Sequence, residues 1–130
     1  MSLNVLVVDD SAVVRSVIVK TLRLTVAELG EVYQACNGRE GLDVLDKHWV
    51  DIVFADINMP VMNGEEMIEE IRKNPLLESL PIVVVSTEGS QTRIERLQRK
   101  GIRFIHKPFA PEIVCKIIHE ITGITNEQQA

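Results

Sequence analysis

Residues 3–10 read LNVLVVDD, a short apolar and β-branched run that ends in two aspartates. A run that is apolar on both faces is typical of a strand buried in a parallel sheet. Similar runs recur along the chain and predict strands at Leu3–Val8, Val32–Cys36, Ile52–Ala55, Ile82–Val85 and Arg103–His106. The fold is therefore expected to depend on a sheet that is covered on both faces.

Segments with helical spacing lie between these runs. One of them places Met67 and Ile71 on a common apolar stripe. Asp10 or Ser11 can cap the first helix, and Pro111 stands where a first-turn proline would open the last one. Strand and helix thus alternate five times. This predicts an α/β fold of three layers, with a five-stranded parallel sheet and right-handed crossovers.

Composition narrows the class of protein. The chain has 130 residues, of which 45% are hydrophobic and 25% charged, as in a single globular domain. The net charge of −5 argues against direct nucleic-acid binding, and the basic residues between Arg96 and Arg103 are expected to be a solvated helix face. No apolar run reaches the ~20 residues of a membrane span. Two free cysteines, Cys36 and Cys115, without a secretory signal favour the cytoplasm.

Polar groups follow four of the predicted strands. They are Asp9 and Asp10 after strand 1, Asp56 after strand 3, Ser86 and Thr87 after strand 4, and Lys107 after strand 5. The carboxyl ends of parallel strands meet at one edge of the sheet, where such folds bind their ligands. Three acids, two hydroxyls and a lysine are therefore expected to converge there.

This combination predicts a particular chemistry. Neighbouring carboxylates repel each other unless a cation compensates them, and Mg²⁺ prefers oxygen ligands, including carboxylates and phosphate. A carboxylate can accept a phosphoryl group covalently, and a lysine can pair with the oxygens of that group. Each residue alone has an ordinary role as a turn former or a helix cap. The four strand ends together favour phosphoryl transfer.

The same residues resemble a known family. The motifs are Asp9-Asp10, Asp56-Ile57-Asn58-Met59-Pro60 with Gly64, Ser86, and Lys107-Pro108-Phe109. They resemble the receiver domain of two-component response regulators over roughly residues 4–122, and most of all the stand-alone, CheY-like chemotaxis receivers. The resemblance implies a flavodoxin-like strand order of 2-1-3-4-5, with residues 123–130 as a polar tail.

The resemblance also implies roles at the acidic edge. Asp56 would accept the phosphoryl group from a sensor histidine kinase or a phosphotransfer domain. Mg²⁺ (or Mn²⁺) would be held by the carboxylates of Asp10 and Asp56 and by the backbone carbonyl of Asn58, whereas Asp9 would act mainly through water. The protein would be a switch that catalyses only its own phosphorylation and dephosphorylation.

Further roles concern the response to phosphorylation. Lys107 would contact Asp56 and then the phosphoryl group, and its bond to the following proline would be cis. Ser86 would move inward to the phosphoryl oxygen, and Phe104 would follow as the switch aromatic. The output face would comprise the fourth helix, fifth strand and fifth helix, with Ile94 and Arg103 exposed on it. The first helix is a second candidate surface, for a kinase or a phosphatase.

Three residues are expected to modulate the phosphorylation pocket. Thr87 stands where the family commonly has alanine or glycine, so its bulk would narrow access for small phosphodonors or water. Asn58 and Glu88 resemble the pair that flanks the site in fast-decaying receivers. The hypothesis is a short-lived phosphoryl group whose lifetime Thr87 prolongs.

Alternative functions differ in what they require. A receiver detached from a longer regulator, with a DNA-binding, methylesterase or cyclase output, fits the same motifs. An aspartate-nucleophile phosphohydrolase would need Asp-x-Asp after strand 1, whereas the two acids here are adjacent. A Ca²⁺-binding loop starting at Asp56 fails because its fifth and sixth positions are Pro60 and Val61. A degenerate receiver is disfavoured because all the acids and Lys107 are present.

Overall fold

The computed structural model describes residues 2–123, in which strands and helices alternate. The strands are β1 (Leu3–Val8), β2 (Leu29–Ala35), β3 (Ile52–Ala55), β4 (Ile82–Ser86) and β5 (Arg103–His106). The helices are α1 (Ala12–Thr25), α2 (Gly38–Lys47), α3 (Gly64–Lys73), α4 (Gln91–Arg99) and α5 (Pro111–Thr122). The expected tail lies, apart from Gly123, outside the described residues.

All strand pairs are parallel, and the order across the sheet is β2-β1-β3-β4-β5. The expected order is therefore confirmed. The register aligns the carboxyl ends: Val8 at the end of β1 pairs with Ala55 at the end of β3, and Ala55 pairs with Val84 of β4. As a result, the residues that follow β1 and β3 emerge side by side at one edge of the sheet, and β4 continues two residues further in the same direction.

The core consists of two apolar clusters, one on each face of the sheet. Val5 and Val7 of β1 belong to the cluster under α1 and α5, whereas Leu6 and Val8 belong to the cluster under α3 and α4. Successive side chains of a strand point to opposite faces, so a buried central strand has to be apolar throughout. The three-layer arrangement predicted from the apolar runs is thus confirmed.

Short polar side chains start the helices close to the strand ends. The Ser11 hydroxyl accepts a hydrogen bond from the Val14 amide and caps α1, two residues after Asp9. Asn63 and Glu66 form a reciprocal capping box at the start of α3. Pro111 is the first residue of α5, as predicted. Within residues 2–123, none of the helices combines the length and the apolar character that crossing a membrane requires.

Two strands and one helix differ from the sequence expectations. The fourth strand ends at Ser86, one residue later than predicted. The second strand runs from Leu29 to Ala35, three residues earlier than predicted at its start, and excludes Cys36. It is an edge strand that is only half-buried, so it lacks the apolar run that marks the central strands. The expectation that Ile94 is exposed is wrong. Ile94 and Leu97, three positions apart on α4, are both buried because they form the apolar stripe of that helix.

Candidate functional site: an acidic pocket with a lysine

Three carboxylates meet at the carboxyl edge of the sheet and form what we call the acid pocket: Asp9, Asp10 and Asp56. Each offers one oxygen, and these oxygens lie within 4.8 Å of one another. Asp9 is buried, Asp56 is half-buried and Asp10 is exposed. The Asp56 amide donates a 2.9 Å hydrogen bond to the carbonyl of Val8, which fixes the two strand ends next to each other. The sequence therefore predicted this convergence correctly.

Lys107 closes one side of the acid pocket. Its Nζ lies 2.9 Å from Oδ2 of Asp9 and 3.2 Å from Oδ2 of Asp56. The contact with Asp56 was expected from the sequence, as was the cis peptide bond between Lys107 and Pro108. The direct contact of Lys107 with Asp9 was not predicted. Both acids of the Asp9-Asp10 pair follow β1, and sequence alone does not tell which one points inward.

The charge balance of the pocket favours a cation. Burial alone would lower the pKa of Lys107, but the hydrogen bond with Asp9 and the charges of Asp56 and Asp9 outweigh it, so the pKa is above its ordinary value. The ammonium thus remains charged beside the carboxylates. One ammonium does not balance three carboxylates in these four side chains. An oxygen-rich, negatively charged pocket is a donor set that suits Mg²⁺.

The hydroxyl group expected at the pocket is held by the loop after β4. Ser86 is fully buried, and its Oγ accepts a 3.2 Å hydrogen bond from the amide of Glu88. Thr87 and Asn58 are exposed in the segments that follow β4 and β3, and Glu88 is half-buried. Asn58 lies two residues after Asp56, and the carbonyl of Ser86 accepts a 3.0 Å hydrogen bond from the amide of Lys107. Their effect on phosphorylation stays a prediction.

The expected output face contains Phe104 of β5. Its ring is half-buried against the cluster under α3 and α4, and it meets the ring of His106 edge-on at 4.7 Å between centroids. Arg103 is half-buried and forms a 2.8 Å ion pair with Glu120 of α5. With Ile94 buried, this face offers less apolar surface than the sequence suggested.

Sequence analysis missed an ion-pair cluster between α3 and α4, which consists of Glu65, Glu88, Arg93 and Arg96. Arg93 pairs with Glu65 of α3 and, at 2.8 Å, with Glu88 of the loop after β4. Arg96 pairs with Glu65 at 2.9 Å. The basic end of α4 is exposed, as expected, but Arg96 also has an acidic partner on α3. Only the helical spacing of Arg93 and Arg96 could have indicated a shared acidic partner.

Wild-type stability is expected to fall more steeply in acid than the stability of the Glu65→Gln variant. Burial alone would raise the pKa of Glu65, but the hydrogen bonds and charges of Arg96 and Arg93 hold it below its ordinary value. Because the folded pKa is the lower one, this stabilisation is present above the ordinary glutamate range and is lost as the pH falls through the lowered pKa. Urea unfolding from neutral pH down to about pH 3 measures the difference.

The matched control for this experiment is Glu70→Gln, which removes an exposed ion pair with Lys73 on the same helix. Exposed pairs contribute little to stability, so this variant is expected to keep the wild-type pH dependence. Parallel curves for the wild type and Glu65→Gln would contradict the prediction.

The sequence of this chain is similar to those of known proteins. The sequence matches the response regulator receiver domain over residues 5–119, which is most of the chain. This chain belongs to the response regulator receiver domain family. It is 34% identical over 125 residues to a chemotaxis protein CheY homolog of Campylobacter jejuni, covering 93% of each chain. Chemotaxis protein CheY1 of Helicobacter pylori is 31% identical over 129 residues, which cover 96% of this chain and all of that relative.

A longer enzyme and a solved chemotaxis response regulator are also similar to this chain. A protein-glutamate methylesterase/protein-glutamine glutaminase of Bacillus licheniformis is 38% identical over 109 residues, which cover 82% of this receiver but 29% of that enzyme. The structure of chemotaxis response regulator CheY4 of Vibrio cholerae has a TM-score of 0.81 and 33% identity, covering 93% of this chain and 99% of that one. The receiver is therefore CheY-like, as the motifs indicated, and is a component of two-component signalling.

Proposed function

We propose that this receiver accepts a phosphoryl group on Asp56 from a phosphohistidine of a sensor histidine kinase or a phosphotransfer domain. The observation that carries the proposal is the contact of Lys107 Nζ with Asp56 inside a cluster of three carboxylates. CheY-like receivers are signalling switches rather than catalysts of metabolism. We also propose that this receiver catalyses its own phosphorylation and dephosphorylation.

The transfer exchanges one bond to phosphorus for another. A carboxylate oxygen of Asp56 attacks the phosphorus, a P–O bond forms, and the P–N bond to the donor imidazole breaks with its electron pair leaving on nitrogen. Lys107 is close enough to exchange its contact with Asp56 Oδ2 for one with a phosphoryl oxygen. The hydroxyl of Ser86 would donate to another of these oxygens. Such transfer depends mainly on positioning and on charge neutralisation.

The residues of the acid pocket fit a hard divalent cation, Mg²⁺ or Mn²⁺. Asp10 and Asp56 would hold it through their carboxylates, Asn58 through its backbone carbonyl, and Asp9 mainly through water. When bound, the ion supplies positive charge to the phosphoryl oxygens. Asp9 also orients the ammonium of Lys107 through their 2.9 Å contact.

The proposed output is a change of the α4–β5–α5 face that alters partner binding. Phosphoryl binding favours one of two conformations, and Ser86 and Phe104 would relay the change. A kinase or a phosphatase would use the surface of α1 beside the acid pocket. A cytoplasmic location is part of the proposal, supported by the likeness to chemotaxis receivers and by two free cysteines.

Incubation with acetyl phosphate and Mg²⁺ is expected to raise the intact mass of the protein by one phosphoryl group. Chelation of Mg²⁺ is expected to prevent the increase, because the pocket then lacks its neutralising charge. Intact mass spectrometry follows the adduct, and tandem spectrometry assigns it to Asp56. An adduct that forms equally well without the metal, or on another residue, would contradict the proposal.

A second candidate is a receiver that regulates a methylesterase domain. The 38% identity to the Bacillus licheniformis enzyme favours it. The two candidates share the chemistry at Asp56 and differ in the partner that responds to it. Binding assays with a methylesterase catalytic domain, with and without phosphorylation, separate them.

A further inference from the structure

The hydroxyl of Ser86 is engaged with the loop rather than with the acid pocket. Its Oγ accepts the amide of Glu88, and within residues 2–123 it makes no hydrogen bond with Asp56 or Lys107. To reach a phosphoryl oxygen, the side chain has to rotate away from that amide. A half-buried amide left without a partner costs free energy unless the loop moves as well. The loop therefore influences how easily Ser86 can turn.

Arg93 fixes this loop at the side chain of Glu88. One carboxylate oxygen of Glu88 pairs with Arg93 at 2.8 Å, and the other accepts the amide of Ser90 at 3.0 Å. Arg93 is itself anchored on Glu65 of α3. The side chains of Glu65, Glu88 and Arg93 are 16–25% exposed. Solvent therefore screens their charges less than those of an ordinary surface ion pair. Arg93 thus joins α3, α4 and the loop after β4.

We propose that Arg93 is a positioning residue that acts through Glu88. By holding the loop, it keeps the Ser86 hydroxyl on the Glu88 amide and so limits the uptake of a phosphoryl group on Asp56. This inference rests on the proposed phosphorylation of Asp56. It assigns a role to a contact between helices that lies outside the acid pocket.

The Arg93→Ala variant is expected to bind beryllofluoride, a mimic of the phosphoryl group, more tightly than the wild type in the presence of Mg²⁺. Since two partly screened ion pairs are lost, the expected gain in affinity is about threefold or more. Titration followed by NMR, with the amides of Ser86 and Glu88 as reporters, measures it. Thermal unfolding of the same variant is expected to show a lower Tm. Destabilisation alone does not predict tighter binding, so the two readouts separate positioning from structural support.

Two further variants test whether Arg93 acts through Glu88. In a Glu88→Gln background, Arg93→Ala is expected to change the affinity little, because the carboxylate through which it acts is gone. Glu65→Gln, which loosens the anchor of Arg93, is expected to change the affinity in the same direction as Arg93→Ala and covers the case in which that variant does not fold. Lys73→Ala removes an exposed ion pair with Glu70 and serves as the matched control.

The outcomes distinguish the two proposals. Beryllofluoride binding by the wild type, with unchanged or weaker binding by Arg93→Ala, overturns the role of Arg93 and leaves the phosphorylation of Asp56 intact. An equal gain with and without Glu88 overturns the route through that residue. A wild type that binds no beryllofluoride overturns the proposed function, and the role of Arg93 with it.

Discussion

The Asp56→Asn variant is expected to form no phosphoryl adduct with acetyl phosphate and Mg²⁺, under conditions in which the wild type becomes heavier by one phosphoryl group. The amide has no carboxylate oxygen to attack phosphorus, and neither Asp9 nor Asp10 replaces it in the proposed role. Asp9 is buried and faces Lys107, whereas Asp10 is exposed at the rim. Intact mass spectrometry over the same time course measures the loss.

Stability measurements show whether the variant is folded. The three carboxylates lie within 4.8 Å of one another, so removing one charge is expected to leave the metal-free protein at least as stable as the wild type. Its stabilisation by Mg²⁺ should shrink, since a ligand that binds the folded state more weakly stabilises it less at the same concentration. Asp46→Asn, an exposed position on α2, is the matched control. A persistent adduct on Asp56→Asn would mean that another residue accepts the phosphoryl group.

The Gly64→Ala variant is expected to lose about 3 kcal/mol or more of unfolding free energy. A Cβ atom at Gly64 would lie 2.2 Å from the carbonyl oxygen of Asp56 and 3.0 Å from Cα of Ile57. Both are backbone atoms, and they are tied to Gly64 by the 2.8 Å hydrogen bond from its amide to the Ile57 carbonyl. The clash cannot be relieved by a side-chain rotation. Urea unfolding monitored by circular dichroism measures the loss.

The same substitution is expected to disturb the acid pocket, because the backbone it displaces includes Asp56. Weaker Mg²⁺ stabilisation should therefore accompany the loss of stability. Gly89→Ala is the matched control, since a Cβ there meets no atom within 4 Å and the expected change is within about 0.5 kcal/mol. Similar losses in both variants would show that backbone flexibility, rather than the close approach at Gly64, decides the result.

The sheet and the pocket could be predicted because they depend on local patterns. Each central strand is apolar on both faces, and the polar residue that ends it marks the functional edge; Val8 followed by Asp9 and Ala55 followed by Asp56 are examples. The edge strand β2 lacks this pattern because half of it faces solvent, so its start was misplaced. Because all strands of a parallel sheet end at the same edge, the meeting of the strand ends could be predicted without side-chain geometry.

Contacts between separate elements could not be predicted in the same way. The pairing of Arg93 with Glu65 joins residues 28 positions apart, and many other arginines and acids could have met instead. Likewise, the burial of Ile94 depends on which side of α4 faces the sheet. The choice between Asp9 and Asp10 as the partner of Lys107 depends on the rotation of one strand end. These features depend on how all the elements pack together, so no local stretch of the sequence predicts them.

Helix α4 is attached to the domain differently from helix α3. Its nine residues bury only Ile94 and Leu97, whereas α3 buries Met67, Ile68 and Ile71 along a helix of similar length. The partly buried ion pairs of Arg93 and the more exposed pair of Arg96 add to this attachment, and their contribution falls as salt is added. α4 is therefore attached to the rest of the domain by less apolar burial than α3 and by contacts that depend on salt. We therefore expect the proposed switch at the acid pocket to displace this helix more readily than the sheet beside it.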